Sequence, residues 1–286
     1  MAGHAIVLAP VYRPVAMGHL RVLCSGLFLI GASMGHAAAA SRLVVTGSST
    51  VAPLLTEIAR RYQASHPDVR VDVQTGGSGR GIGDARQGLA DIGMVSRELK
   101  PDEGDLHAFG IARDGICLIV NRVNPVASLT DEQVRAIYTG KVSSWAQLGG
   151  NPVPITVIHK AEGRSTNELF VSYFKLKPTD VRAHIVIGDN AQAFKTVVAN
   201  PGAVGYVSIG AAESEAGAGM PIKLLPMSGV AATTEAVRLG KFPISRTLNL
   251  VTRKPPEGAA LDLIELARSP AVRDLVEDLR FVPLVR

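Results

Sequence analysis

The 286-residue sequence has only two cysteines, and only 5% of its residues are aromatic. Cys24 lies in an N-terminal segment that we expect to be removed, which leaves Cys117 alone. A single cysteine cannot form an intrachain disulfide, so the domain must be stable through its hydrophobic core. No block of Lys and Arg interleaved with aromatic residues is present, and with so few aromatic residues the stacking platforms used to bind nucleic acids are scarce. We therefore expect no nucleic-acid partner.

Acidic residues are absent from residues 1–40, which carry Arg13 and Arg21, an apolar run over 22–31 and small residues ending at Ala40. This order is typical of a secretory signal peptide and predicts cleavage near Ala40 and a periplasmic location. The apolar run is shorter than the ~20 residues of a transmembrane helix, and an uncleaved N-terminal anchor is the alternative. The remaining chain holds all 25 acidic and 28 of the 30 basic residues, so its net charge is only +3.

Catalytic motifs are also missing. The sequence contains no G-x-x-x-x-G-K-[ST] phosphate loop, and neither Ser49 nor Ser78 lies in a G-x-S-x-G nucleophile turn. The histidines after residue 40 show no pair at metal-ligand spacing, and only His159 lies beside a candidate binding turn. We therefore expect no enzyme activity, no metal and no cofactor.

The pattern after residue 40 alternates between strands and helices. Apolar residues at helical spacing predict a helix over 51–64, and Val69, Val71 and Val73 alternate with polar residues as in a strand. Thr130 and Gln133 form a predicted capping box at the start of another helix. This order predicts an α/β fold with a mainly parallel sheet.

Three stretches rich in Ser, Thr and Gly each follow a strand-like run and precede a helical pattern: residues 47–50, 76–81 and 162–166. Helix N-termini offer unpaired N–H groups and partial positive charge, and small hydroxyl residues add donors there. If the three turns converge, they form a cage of neutral donors for a small oxyanion. Taken singly, each turn is more simply explained as a helix cap.

Cationic side chains accompany these turns. Arg97 ends a strand, where α/β sheets place ligands, although a salt bridge at the surface is the simpler role for it. Lys160 and Arg164 flank the third turn, where charge-assisted hydrogen bonds would reach an anion.

These turns and several further segments resemble the phosphate-binding proteins of ABC importers, the PstS-like branch. The resemblance runs in order through residues 46–54, 76–82, 90–97, 129–140, 145–150, 205–208 and 242–246. It implies a two-lobed type II periplasmic-binding fold with a ligand cleft between the lobes, lobe 1 comprising 41–120 and 205–286 and lobe 2 comprising 121–204. The expected ligand contacts are Ser49, Thr50, Val51, Ser78, Ser96, Arg97, Lys160, Arg164, Ser165 and Thr166.

Two departures from the family bear on the ligand. Lys160 stands where the family usually has Arg, while Arg164 and Ser165 replace Ser and Gly. Ser96 stands where the better-known branch has an Asp that accepts the proton of hydrogen phosphate and repels sulfate. Asp91 and Glu162 are the candidates to replace that carboxylate.

The resemblance implies a receptor that binds phosphate reversibly and delivers it to an ABC permease with its ATPase, touching the membrane only through the permease. Sulfate, molybdate or another tetrahedral oxyanion stays open as the ligand. A phosphate sensor or adaptor without a transporter is a second hypothesis. A secreted phosphoryl-transfer enzyme is a third, and it requires a nucleophile–base pair or metal site that the sequence does not reveal.

Overall fold

The computed structural model describes residues 41–284, so the predicted signal peptide at 1–40 lies outside the described residues. The strands are β1 (Ser41–Gly47), β2 (Val69–Thr75), β3 (Ile92–Val95), β4 (His107–Asn121), β5 (Thr156–Lys160), β6 (Ile185–Ile187), β7 (Ala203–Ser208), β8 (Ile222–Leu225), β9 (Ser245–Thr252) and β10 (Val282–Pro283). The helices are α1 (Ala52–Ser65), α2 (Ser78–Gln87), α3 (Asp131–Tyr138), α4 (Ser165–Tyr173), α5 (Asn190–Ala199), α6 (Ile209–Gly217), α7 (Thr234–Arg238), α8 (Gly258–Ala267) and α9 (Arg273–Asp278).

The helices form where the sequence periodicity predicts them. In α1, Leu54, Leu55 and Ile58 lie on one face and are fully buried, which fixes the helix against the sheet. The predicted capping box of α3 is confirmed, because Thr130 and Gln133 exchange side-chain-to-backbone hydrogen bonds of 3.2 and 2.8 Å. Within 41–284, every helix is too short or too polar to cross a bilayer.

The strands follow the order β2-β1-β3-β9-β4-β7-β5-β6, and β8 and β10 also pair with β4. The pairs of β1 with β2 and β3, and of β5 with β6 and β7, are parallel. The centre is antiparallel, because β9 pairs with both β3 and β4, and β4 pairs with β7. The predicted mainly parallel sheet is therefore wrong for the centre, where the long strand β4 meets strands that run back against it.

The two largest of three buried hydrophobic clusters form separate cores. One includes Ile58, Met94 and Leu250, and the other includes Trp145 and Phe170. Strand β4 contributes to both, as the first core holds its residues 111–112 and the second its residues 116–120. The chain thus passes between the cores within one continuous strand.

The lobe bounds stay a prediction. The second core takes in the buried residues between 203 and 244, including those of β7. These residues favour a second crossover near Ser245, at the start of β9, rather than near residue 205. The first crossover, within β4, lies close to the predicted position near 120.

Candidate anion-binding site

Arg246 on β9 brings hydroxyl groups from three parts of the chain together. Its Nη2 donates to Oγ1 of Thr50 at 3.2 Å, and its Nη1 donates to Oγ of Ser96 at 3.3 Å and to Oγ1 of Thr166 at 3.0 Å. All four residues are buried. Residues from the first turn, the end of β3 and the third turn therefore converge on one guanidinium.

Asp114 on β4 neutralises this guanidinium. Its Oδ2 accepts from Nη2 of Arg246 at 2.8 Å, and each side chain is only 1% exposed. The other carboxylate oxygen accepts from the Gly210 amide at 3.2 Å. Since β4 and β9 are paired here, with Asp114 opposite Arg246, the sheet register itself sets the ion pair. The pair is neutral as a whole and acts as a scaffold for the hydroxyl groups.

The hydroxyl groups remain able to donate. A hydroxyl oxygen that accepts from Arg246 still carries its own hydrogen, which is free to point at a second acceptor. Thr50, Ser96 and Thr166 each accept in this way. The arrangement orients three O–H donors and leaves them available to an anion.

Ser78 joins this group through Ser96. The Ser96 amide donates to Oγ of Ser78 at 3.1 Å, and the two hydroxyl oxygens are 3.5 Å apart. Ser78 is the first residue of α2, where the N–H groups have no partner within the helix. The second predicted turn therefore lies beside the first and third, and a helix N-terminus adds its partial positive charge.

The third turn begins helix α4 with Ser165 and Thr166, both buried. The Ser165 hydroxyl has no hydrogen-bond partner among the described residues. Farther along α4, Phe170 stacks on Tyr206 of β7 with 3.8 Å between ring centroids and 4° between planes. This stacking fixes the start of α4, and hence its donors, relative to the sheet.

Lys160 ends β5 with a buried side chain whose Nζ donates to Oδ1 of Asn190 at 3.0 Å. Burial is the main reason that its pKa falls to about 7. Asp189 opposes this fall, whereas Arg246 and Arg164 add to it, so all three charges act on this ammonium.

Arg97 points to carboxylates. Its Nη1 and Nη2 bind Glu103 at 2.6 and 2.8 Å, and its Nε lies 3.0 Å from Glu168 of α4 in an ion pair. Lys100 also pairs with Glu168, at 2.9 Å. Arg97 therefore forms ion pairs, as the alternative role from the sequence has it, but these pairs are largely buried rather than at the surface. The pair with Glu168 links the end of β3 to α4 across the two cores.

The remaining predicted ligand contacts, Ser49, Val51 and Arg164, lie farther from the hydroxyl groups around Arg246 in the hydrogen-bond network. The amides of Thr50 and Val51 donate to Oγ of Ser48, at 3.2 and 3.4 Å. Ser49 lines a cavity of about 460 Å³ that Thr50 and Asn190 also line. Arg164 lies against Gly77 and is half-buried, and its Nε has no partner among the described residues.

The two acidic candidates from the sequence lie elsewhere. Oδ2 of Asp91 accepts from the Val44 amide at 2.7 Å, which ties it to the backbone of β1. Glu162 is exposed in the turn before α4. The carboxylate that does contact Arg246 and its hydroxyl groups is that of Asp114. Asp114, Arg246 and Asn190 were not predicted as site residues from the sequence. For Arg246, the signal was the family segment 242–246, which ends on this residue.

Comparisons with known proteins identify the family of this chain. The model of the PBP superfamily domain matches residues 32–272. The phosphate-binding protein PstS of Bacillus subtilis is 27% identical over 256 residues, which cover 87% of this chain and 83% of that protein.

Two solved structures are similar over most of the described chain. A putative phosphate ABC transporter substrate-binding protein with bound phosphate from Clostridium perfringens gives a TM-score of 0.78 at 29% identity, covering 86% of this chain and 100% of that one. An ABC-type phosphate transport receptor from Vibrio cholerae gives 0.66 at 29%, covering 85% and 100%. These matches confirm the predicted two-lobed α/β fold and the PstS-like resemblance. The chain belongs to the PBP superfamily.

Proposed function

We propose that this protein is an extracytoplasmic receptor that binds inorganic phosphate reversibly and delivers it to the permease and ATPase of an ABC transporter. The observation that carries the proposal is the convergence of Thr50, Ser96 and Thr166 on Arg246. The hydroxyl groups replace the water that a bound oxyanion loses, and helix N-termini add further donors. The names of the similar proteins from B. subtilis, C. perfringens and V. cholerae, which concern phosphate binding and transport, support the choice of ligand.

The site binds without chemistry in this proposal. Its donors hold the anion by hydrogen bonds, and Asp114, the carboxylate at its centre, is paired with Arg246. Closing the lobes on the ligand presents a new surface, which the permease reads. The ligand residues proposed are those predicted from sequence except Arg97, whose guanidinium is held by Glu103 and Glu168. Arg246 is added, and Thr50, Ser78, Ser96, Lys160, Ser165 and Thr166 lie at the centre of the site.

Titration calorimetry of the protein from residue 41 onward tests the proposal, with phosphate, sulfate and molybdate as ligands. We expect phosphate to bind with a dissociation constant in the micromolar range or below, as for small ligands held by several charge-assisted bonds. Binding of none of the three oxyanions contradicts the receptor function. Turnover of a phosphate ester favours the secreted-enzyme alternative instead.

Ser96 determines selectivity in this proposal. A hydroxyl both donates and accepts, so it tolerates a ligand with or without a proton. Ser96→Asp places a carboxylate beside Arg246, where it accepts the proton of hydrogen phosphate and repels sulfate. We expect this change to weaken sulfate binding at least about tenfold more than phosphate binding. Ser96→Asn, which adds similar bulk without charge, is the control, and an equal loss for both anions in Ser96→Asp contradicts the prediction.

A further inference from the structure

Lys160 is a buried ammonium held by a neutral partner. Its residue exposure is 3%, and that of Asn190, whose Oδ1 accepts from Nζ, is 8%. Asn190 is the first residue of α5, and the preceding Asp189 caps the helix by accepting from the Gln192 amide at 2.8 Å. The Asn190 side chain is therefore fixed by a capped helix start, and it fixes the ammonium in turn.

The charges that face Lys160 come from the elements packed around β5. Asp189 favours the charged form, whereas Arg246 of β9 and Arg164 before α4 oppose it, and burial opposes it most. Asp114 on β4 is occupied by its pair with Arg246. Apart from this neutral pair, Asp189 and Arg164 are the charges that act on the ammonium, and they act in opposite directions.

The remaining titratable neighbours are uncharged at neutral pH. The Tyr206 hydroxyl oxygen accepts from the Lys160 amide at 3.0 Å and lies 2.9 Å from Nδ1 of His159. Burial raises the pKa of Tyr206 and lowers the pKa of His159, so both rings stay neutral at pH 7. Neither ring compensates the charge of Lys160.

We propose that Asn190 positions Lys160 as a proton-dependent cation of the anion site, so that oxyanion binding is coupled to proton uptake by this lysine. The inference rests on the proposed function. An entering anion adds negative charge near the ammonium, and it therefore favours the protonated lysine. Because the Arg246–Asp114 pair is neutral as a whole, the charge of Lys160 contributes strongly to the net charge of the site.

The sign of the pH dependence follows from the lysine pKa of about 7 in the ligand-free protein. Well below pH 7, Lys160 already carries its proton, and binding takes up none from this position. Above pH 7, binding must recruit the proton, so the contribution of Lys160 to affinity falls as pH rises until the higher pKa of the complex is passed.

Calorimetry in buffers of different ionisation enthalpy measures this uptake, with inorganic phosphate as the probe, at pH 6 and pH 8. Lys160→Arg is the reference because arginine stays protonated at both pH values and the titration of phosphate itself is common to both proteins. We expect wild type to take up about one more proton than Lys160→Arg at pH 8 and an equal number at pH 6. Equal uptake at pH 8, with both proteins binding phosphate, overturns the inference. Failure of wild type to bind phosphate at either pH contradicts the proposed function instead.

Asn190→Asp is a second test that retains the lysine. The new carboxylate keeps Lys160 protonated and competes with the anion, so we expect weaker phosphate binding and loss of the extra proton uptake at pH 8. Unchanged uptake in Asn190→Asp overturns the inference even if Lys160→Arg does not bind phosphate.

A double-mutant cycle tests whether Asn190 acts by positioning Lys160 or only by supporting the helix α5. Asn190→Ala should weaken phosphate binding about tenfold in wild type but less than about twofold in Lys160→Met, where no ammonium remains to be positioned. Thr196→Ala, on the same helix, is the control and should leave affinity unchanged. Equal losses in both backgrounds show that Asn190 acts only on the helix and overturn the positioning role.

Discussion

Arg246 and Thr166 are 80 positions apart in the chain, yet Nη1 of the arginine donates to Oγ1 of the threonine at 3.0 Å. Thr166 belongs to α4, whose Phe170 packs in the second core, whereas Arg246 belongs to the strand β9, whose Leu250 packs in the first. The hydrogen bond therefore joins the two lobes at the candidate site. In the proposed function, the side chains that bind the anion are therefore also the ones that join the lobes.

Arg246→Ala should abolish anion binding and destabilise the protein together. The change removes the centre of the hydroxyl cluster and leaves Asp114 buried without its partner, which costs about 3–5 kcal/mol. Urea denaturation and phosphate calorimetry measure the two effects. In the double variant Arg246→Met with Asp114→Leu, stability should recover in part because no buried charge remains, while binding stays lost. A single variant as stable as wild type contradicts the importance of the pair.

Removing single hydroxyl groups should weaken binding without unfolding the protein. For Thr50→Val, Ser78→Ala and Thr166→Val we expect losses of about 10- to 100-fold in phosphate affinity, since each hydroxyl donates to a charged ligand. Thr139→Val is the matched control, because its hydroxyl donates to the Arg135 carbonyl at 2.8 Å at the end of α3. Unchanged affinity in all three variants would disprove the three-turn cage.

The sequence predicted the hydroxyl groups of the site better than its charges. Thr50, Ser78 and Thr166 were identifiable because each lies at a strand-to-helix turn, a local pattern that repeats three times. Arg246 has no such pattern around it, since its role depends on pairing between β9 and β4, and Asp114 is 132 positions away. Charge pairing is set by tertiary contacts, which spacing along the chain does not encode.

The role of Arg97 could not be predicted from the sequence either, because its charged partner is distant in the chain. Its position at the end of β3 suits a ligand contact, and the helical residue Glu168 that pairs with it is 71 positions away. The central antiparallel strands were likewise missed, because alternation of strands and helices indicates parallel units and says nothing about a long strand shared by two cores.

Glu168→Gln should weaken the contact between the lobes. The wild-type carboxylate pairs with Arg97 and Lys100 at 3.0 and 2.9 Å, and the amide retains the shape but loses the charge. We expect phosphate affinity to fall about 3- to 10-fold, because part of the binding free energy must then close the lobes. Small-angle scattering of the ligand-free variant should show a larger radius of gyration.

Glu277→Gln is the control for this experiment, as Glu277 pairs with Arg273 on the exposed surface of α9, at 2.9 Å. It should change neither affinity nor scattering. If Glu168→Gln behaves like this control, the ion pairs at Glu168 do not contribute to closure.

Alanine substitutions at two glycines of α2 test helix stability and lobe closure separately. The Gly79 amide donates to the Gly163 carbonyl at 2.9 Å, and a Cβ added at Gly79 would lie 3.2 Å from Cα of Gly163. A Cβ added at Gly83 would meet nothing within 4 Å. Since alanine favours a helix interior over glycine by about 0.8–1.0 kcal/mol, Gly83→Ala should stabilise the protein with no change in affinity.

Gly79→Ala should gain some of the same helix stability but weaken phosphate binding several-fold, because its methyl group crowds the Gly163 backbone only when the lobes are together. Thermal unfolding without ligand and phosphate titration measure the two quantities separately. Full affinity in Gly79→Ala would mean that the turn before α4 moves away at no cost. In that case the close approach of the two glycines is not part of the binding-competent conformation, and the third turn reaches the anion without docking on α2.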